Sequence, residues 1–233
     1  MAAQKTSGLK LCAFDLDGTL VDSQHRIVAS MTAGFAAEGQ VAPMPDAVRQ
    51  VVGLPLDVAI KRLAPGIGGL QVERLVEAYR DAYFDPRNDT GGPEPLFPGT
   101  REVLDTLEAD GWLLAIVTGK SRRGLLHVLD AHGIRRRFVA LKSADDGPGK
   151  PNPTLLLEAM DEAGCARDRT VMVGDTTFDM ETAVNAKVAG AIGVSWGYHD
   201  AVRLKAAGSV IILDRFDQLP DVAERLVATK QED

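Results

Sequence analysis

The chain has 233 residues and a net charge of −7, with 45% hydrophobic and 25% charged residues. These are the proportions of a soluble globular protein, and the length suits one sizeable core carrying an insertion or a small second domain. The acidic balance, with no long Lys/Arg cluster, excludes the basic footprint of nucleic-acid or anionic-membrane binding.

Two cysteines, Cys12 and Cys165, are too few for a disulfide framework and lack metal-ligand spacing, so both read as buried or idle thiols. No apolar segment approaches the roughly 18 residues of a membrane span, and "MAAQKTSG" holds no signal-like apolar core, so a cytoplasmic location is expected.

In chain order, "LKLCAF" (9–14) reads as the first buried strand. Residues 22–94 then break into helical patterns around 24–38, 45–63 and 70–85, with no convincing strand. The Pro- and Gly-dense "DPRNDTGGPEPLFPGT" (85–100) reads as the return from this block. Beyond it, strand-like runs "WLLAIVT" (112–118), "RFVALKS" (137–143), "TVMVG" (170–174), "GAIGVSW" (190–196) and "SVIIL" (209–213) alternate with helical segments. Those segments, "TREVLDTLEADG", "RRGLLHVLDAHG", "NPTLLLEAMDEAG" and "FDMETAVNAKVAG", each finish in Gly, a favoured residue just past a helix end. Runs apolar on both faces are the mark of buried parallel strands. The fold class is therefore α/β: a doubly wound parallel sheet with an inserted α-helical cap. The expected organisation is a Rossmann-like catalytic core over 1–21 and 95–233, and a cap over 22–94.

Open α/β sheets bind ligands at the carboxyl ends of their strands. The first strand leaves Asp15, Asp17, Gly18 and Thr19 there, and the second leaves Thr118, Gly119 and Lys120. Asp145, Asp146, Lys150 and Pro151 follow the third, and Gly174, Asp175, Thr176 and Asp179 follow the fourth. Asp15 and Asp17 share one side of an extended chain because side chains alternate with period two. Carboxylates this close raise one another's pKa unless a cation neutralises them. Oxygen-only donors without His or Cys favour Mg²⁺, which keeps positions open for water and phosphate. Thr118, the amides after it and the Lys150 ammonium are the candidate phosphate donors.

These motifs resemble the phosphatases of the haloacid dehalogenase superfamily. "DLDGT" (15–19), Thr118, "KP" (150–151) and "GDTTFD" (174–179) are similar to its four motifs in order, and the helical block sits where that superfamily carries a small helical cap. The resemblance implies a nucleophilic Asp15 that forms an aspartyl-phosphate, and an Asp17 that serves as acid and then as base. It places Mg²⁺ on Asp15, Asp175 and the Asp17 carbonyl with Asp179 in support, and the phosphoryl oxygens on Thr118, Gly119 and Lys150. Asp17 argues against the dehalogenase branch, whose chemistry protonates no leaving group. The sequence is most similar to the phosphoglycolate phosphatase-like branch. The expected activity is Mg²⁺-dependent hydrolysis of a small phosphate monoester, phosphoglycolate-like or a sugar phosphate. A sugar phosphomutase, an inorganic pyrophosphatase and a phosphoryl-binding regulatory protein are the alternatives. The expected partner is a small phosphorylated metabolite, with neither nucleic acid nor membrane, and the chain is a monomer or homodimer.

Other readings compete at single positions. "GDTTFD" also spells a helix cap, with Asp175, Thr176 or Thr177 as the cap and Asp179 complementing the dipole. Lys120 and Lys142 compete with Lys150. Lys120, Arg122 and Arg123 stand at a helix start, where positive charge needs solvent or an anion. His25, His127, His132 and His199 are isolated and read as surface or packing residues. "SWGYH" (195–199) follows a strand at the active edge, with aromatic packing as its plainer role. In "VVGLPLDVAI" (51–60), Gly53 and Pro55 interrupt a helical pattern and could turn toward substrate.

Overall fold

The computed structural model describes residues 8–85 and 93–229. The segment "MAAQKTS", the middle of the Pro/Gly-rich return and residues 230–233 lie outside the described residues. Six strands, β1 (Lys10–Phe14), β2 (Trp112–Val117), β3 (Phe138–Lys142), β4 (Thr170–Gly174), β5 (Gly190–Val194) and β6 (Ile211–Leu213), pair in parallel in the order β3-β2-β1-β4-β5-β6. Chain order reverses beside β1, so its carboxyl end, with that of β4, opens into the switch-point crevice of a doubly wound sheet.

Alternation along β1 divides the core. Cys12 and Phe14 pack with residues of α5 (Thr100–Ala109), α6 (Arg122–Ala131) and α10 (Leu219–Thr229). Leu11 and Ala13 pack on the other face with residues of α7 (Thr154–Ala163), α8 (Thr177–Ala186) and α9 (Ala201–Ala206). Burying side chains such as Phe14, Leu107 and Leu114 stabilises the sheet by about 1.5–3 kcal/mol each, before the entropy of ordering them is subtracted. Both cysteines lie buried inside this core, and neither forms a disulfide. No helix of the described residues is long and apolar enough to cross a membrane.

Between β1 and β2 stand α1 (Gln24–Ala37), α2 (Pro45–Arg49), α3 (Leu56–Leu63) and α4 (Gly69–Phe84). Their shared core is built from Ile27, Met31, Phe35, Val48, Ile60, Val72 and Leu75. The chain leaves and re-enters the sheet side by side: Val21 bridges antiparallel to Leu96. Asp22 N donates to Pro95 O at 2.8 Å and Phe97 N to Leu20 O at 3.0 Å.

Two helix boundaries differ from expectation. The pattern over 45–63 is two helices, because Gly53 takes φ +93° and Pro55 caps α3. The segment expected to run to Gly190 ends instead with Lys187 at φ 57°, and Gly190 opens β5. The other three segments do finish at left-handed glycines, Gly111, Gly133 and Gly164.

Candidate active site

The chain must turn sharply after β1, and Gly18 makes the turn at φ +86°. A Cβ at Gly18 would lie 2.3 Å from Asp175 Oδ2, so only glycine lets the β1 loop approach the β4 loop this closely. That approach brings Asp15, Asp175 and Asp179 together: one carboxylate oxygen from each lies within 4.8 Å of the others, and all three residues are buried.

Each acid is held differently. Asp175 Oδ1 accepts from Thr19 Oγ1 at 2.8 Å, and its Oδ2 accepts from the Tyr198 amide at 2.8 Å. Asp179 caps α8 through Oδ2, which accepts from Thr176 N at 3.0 Å and Thr176 Oγ1 at 2.7 Å, while Oδ1 accepts from Lys150 Nζ at 2.5 Å. Helix capping and membership of the acid cluster are thus both true of Asp179. Asp15 Oδ1 lies 2.8 Å from Lys150 Nζ as an ion pair, yet neither of its buried oxygens meets a hydrogen bond of good geometry.

The electrostatics follow. Burial pushes Asp15 up to about 7 against the pull of Lys150, with Asp179 and Asp17 pushing the same way. Burial, Asp179 and Asp15 raise Asp175 well above its usual value. Burial pulls Lys150 down, but Asp15 and Asp179 outweigh it and hold the ammonium charged. One ammonium against three carboxyl groups leaves the cluster short of positive charge, and Asp15 Oδ2, which meets neither a hydrogen bond nor an ion pair, together with the all-oxygen donor set fits a hard divalent cation.

Asp17 stands apart from this triad. Its carboxylate accepts from Lys120 Nζ at 2.9 and 3.1 Å. Thr118 and Gly119, at the end of β2, line a cavity of about 290 Å³ with Asp15, Asp17 and Lys120. Residues of the helical insert, among them Met31, Val52, Leu54 and Tyr79, complete its walls. Lys150 is not among the lining residues, being buried between Asp15 and Asp179.

The competing candidates are engaged elsewhere. Lys142 pairs with Glu158 and Glu162. Asp145 accepts from the Arg122 amide at 2.8 Å and Asp146 from its guanidinium at 2.6 Å, which is how the α6 start tolerates that charge. Arg123 lies over the Phe84 ring. His25 and His127 are exposed, whereas His132 Nε2 is 2.7 Å from Glu94 O and His199 Nδ1 accepts from the Thr177 amide at 3.0 Å. "SWGYH" takes both of its roles: Trp196 packs against Phe216, and the Tyr198 amide serves Asp175. The Gly53–Pro55 turn reaches the strand ends, since a Cβ on Gly119 would lie 2.4 Å from Gly53 O and one on Gly149 2.3 Å from Pro55 Cγ.

Sequence reasoning missed Thr19 as a partner of Asp175 and the Lys120–Asp17 pair. The signals were present, in the hydroxyl closing "DLDGT" and the lysine two positions after Thr118.

The parallel sheet, its helical insert and the acid cluster at the strand ends define the class, a Rossmann-like α/β enzyme core. Comparison with known proteins makes it specific. The haloacid dehalogenase-like hydrolase family matches residues 12–192. The chain is 37% identical over 221 residues to the probable phosphatase IndB of Dickeya dadantii, covering 93% of this chain and 94% of that protein. It is 33% identical over 224 residues to a phosphoglycolate phosphatase of Agrobacterium fabrum, covering 94% of each. A crystal structure of a hydrolase from Pseudomonas syringae superposes with a TM-score of 0.81 at 28% identity, covering 92% of this chain and 98% of that one. The chain belongs to the haloacid dehalogenase-like hydrolase family and is one of its phosphatases.

Proposed function

We propose that the protein hydrolyses a small phosphate monoester in two steps through Asp15, with Mg²⁺ as its cofactor. The observation that carries this is the buried Asp15 carboxylate at the carboxyl end of β1, ion-paired to Lys150 through Oδ1 and with Oδ2 left unengaged. In the first step an Asp15 oxygen attacks phosphorus and the bond to the leaving oxygen breaks. Asp17, which lines the cavity beside Asp15, gives that oxygen its proton. In the second step water attacks phosphorus and gives a proton to Asp17. The Asp15–phosphorus bond then breaks, and inorganic phosphate leaves.

Thr118 and the amides at Gly119 bind the phosphoryl oxygens, while the Lys150 charge offsets part of the negative charge that collects there. Asp15, Asp175 and the Asp17 carbonyl would hold Mg²⁺, supported by Asp179. When bound, the ion supplies neutralising charge to the acids and phosphoryl oxygens. The helical insert is the cap, excluding water and meeting the alcohol half of the ester. The names of relatives make phosphoglycolate one ester to assay. The test is phosphate release from a panel of small esters with and without Mg²⁺. Metal-dependent turnover that vanishes in Asp15→Asn is expected, and turnover unchanged in that variant overturns the proposal.

A further inference from the structure

Lys120 takes no part in the scheme above, yet it is fixed on three sides. Its ammonium donates to both oxygens of Asp17, at 2.9 and 3.1 Å. The same ammonium lies 4.6 Å from the centre of the Tyr83 ring, on helix α4 of the insert. Its aliphatic stem runs along Gly124, where an added Cβ would stand 3.1 Å from Cγ and Cε. Burial pulls its pKa down, but Asp17 and further neighbours raise it well above the usual value, so the cation persists.

Tyr83 is fixed in turn. Its hydroxyl donates to Glu94, buried on the return from the insert. Arg26 of α1 lies 4.8 Å from the ring centre and donates to the Tyr83 carbonyl at 2.9 Å. A cation is attracted to a ring face at such distances, and more strongly where water is excluded. Among the described residues no other side chain hydrogen-bonds to the Asp17 carboxylate.

We infer that Lys120 is a positioning residue that aims the Asp17 carboxylate, and that Tyr83 of the helical insert holds Lys120 in place, so the proton carrier is aligned only while the insert is seated on the sheet. The inference rests on the two-step phosphatase reading. Its chemical content is narrow. Lys120 matters in steps where Asp17 gives or takes a proton, and not where the leaving group departs as a stable anion.

4-Nitrophenyl phosphate separates those steps. With enzyme in excess, a single turnover releases 4-nitrophenolate as Asp15 attacks, with no proton needed from Asp17, and phosphate then appears only after Asp17 takes a proton from water. For Lys120→Met, nitrophenolate release keeps its rate while phosphate release slows by roughly 10²-fold, the usual weight of one acid–base group. Alkyl phosphates, whose leaving oxygen needs the proton, lose kcat/KM by a similar factor. Tyr83→Phe, which keeps the ring and its Arg26 contact but loses the bond to Glu94, stays closer to the wild-type ratio of the two rates than Tyr83→Leu does. Tyr83→Leu shifts that ratio as Lys120→Met does. General damage to the site would slow nitrophenolate and phosphate together, and that result overturns the inference, as does a Lys120→Met variant with both rates unchanged. A wild-type enzyme that releases no phosphate from any ester overturns the phosphatase reading, and this inference with it.

Discussion

Nζ of Lys150 lies 2.8 Å from Oδ1 of Asp15 in a pair almost wholly removed from solvent. Removing one partner of such a pair leaves a buried charge unanswered, at a cost of about 3–5 kcal/mol. Lys150→Met therefore lowers stability by about that amount in metal-free buffer, since Asp15 and Asp179 both lose their ammonium. Urea unfolding reads the loss, and added Mg²⁺ recovers part of it. A variant as stable as the wild type without metal would show that Lys150 does not balance these acids.

Asp15→Asn separates chemistry from fold. It removes the proposed nucleophile, so turnover is expected to fall by at least roughly 10⁴-fold. Far-UV circular dichroism stays unchanged, because the amide has the same shape as the carboxylate. Residual turnover within tenfold of the wild type would require another nucleophile.

The sign of the pH dependence follows from the raised acids. In the metal-free chain, folded Asp15 titrates at about 7, above its unfolded value. Its contribution to stability is complete below the unfolded carboxylate range and is lost as pH rises through about 7. Asp175, also raised, acts in the same direction. A divalent cation binds the ionised acids in competition with protons. Mg²⁺ therefore raises Tm more at pH 8 than at pH 5.5, and calorimetry at both values checks it. Equal shifts at the two pH values would place the ion elsewhere.

Gly119→Ala tests the seating of the insert. The new methyl would stand 2.4 Å from Gly53 O, so the turn must lift off the strand ends. Misplacement on the scale of an ångström costs up to roughly 10²-fold in rate, and kcat/KM is expected to fall within that range while Tm changes little. Steady-state kinetics beside a thermal melt distinguish this from a folding defect, in which both would fall.

Much of this arrangement is legible in the sequence, and the limits have physical causes. Strand-end placement of Asp15, Asp17, Thr118 and Asp175 follows from period-two alternation and parallel-sheet topology, both local in origin. Lys150 next to Asp15 is visible only as a motif, since no spacing rule brings a residue from the loop after β3 to the end of β1. The partner of Lys120 depends on where two loops and an inserted helix meet in space, which periodicity cannot encode. The early end of α8 was hidden because Lys187 adopts a left-handed conformation that glycine would have advertised. Asp179 carries two signals at once, and either alone explains its presence in "GDTTFD".

The crossing at Val21 and Leu96 has a wider consequence. For continuity of the chain, the sheet asks of the inserted segment only that its two ends arrive beside each other, and the hydrogen bonds from Asp22 to Pro95 and from Phe97 to Leu20 meet that demand. The segment is in effect a detachable module plugged into a two-pin socket. Evolution, or an engineer, could exchange it for another of different length and lining without rewriting the strands below, provided that the replacement still carries a ring over Lys120, and so redirect the same reaction chemistry to a different molecule.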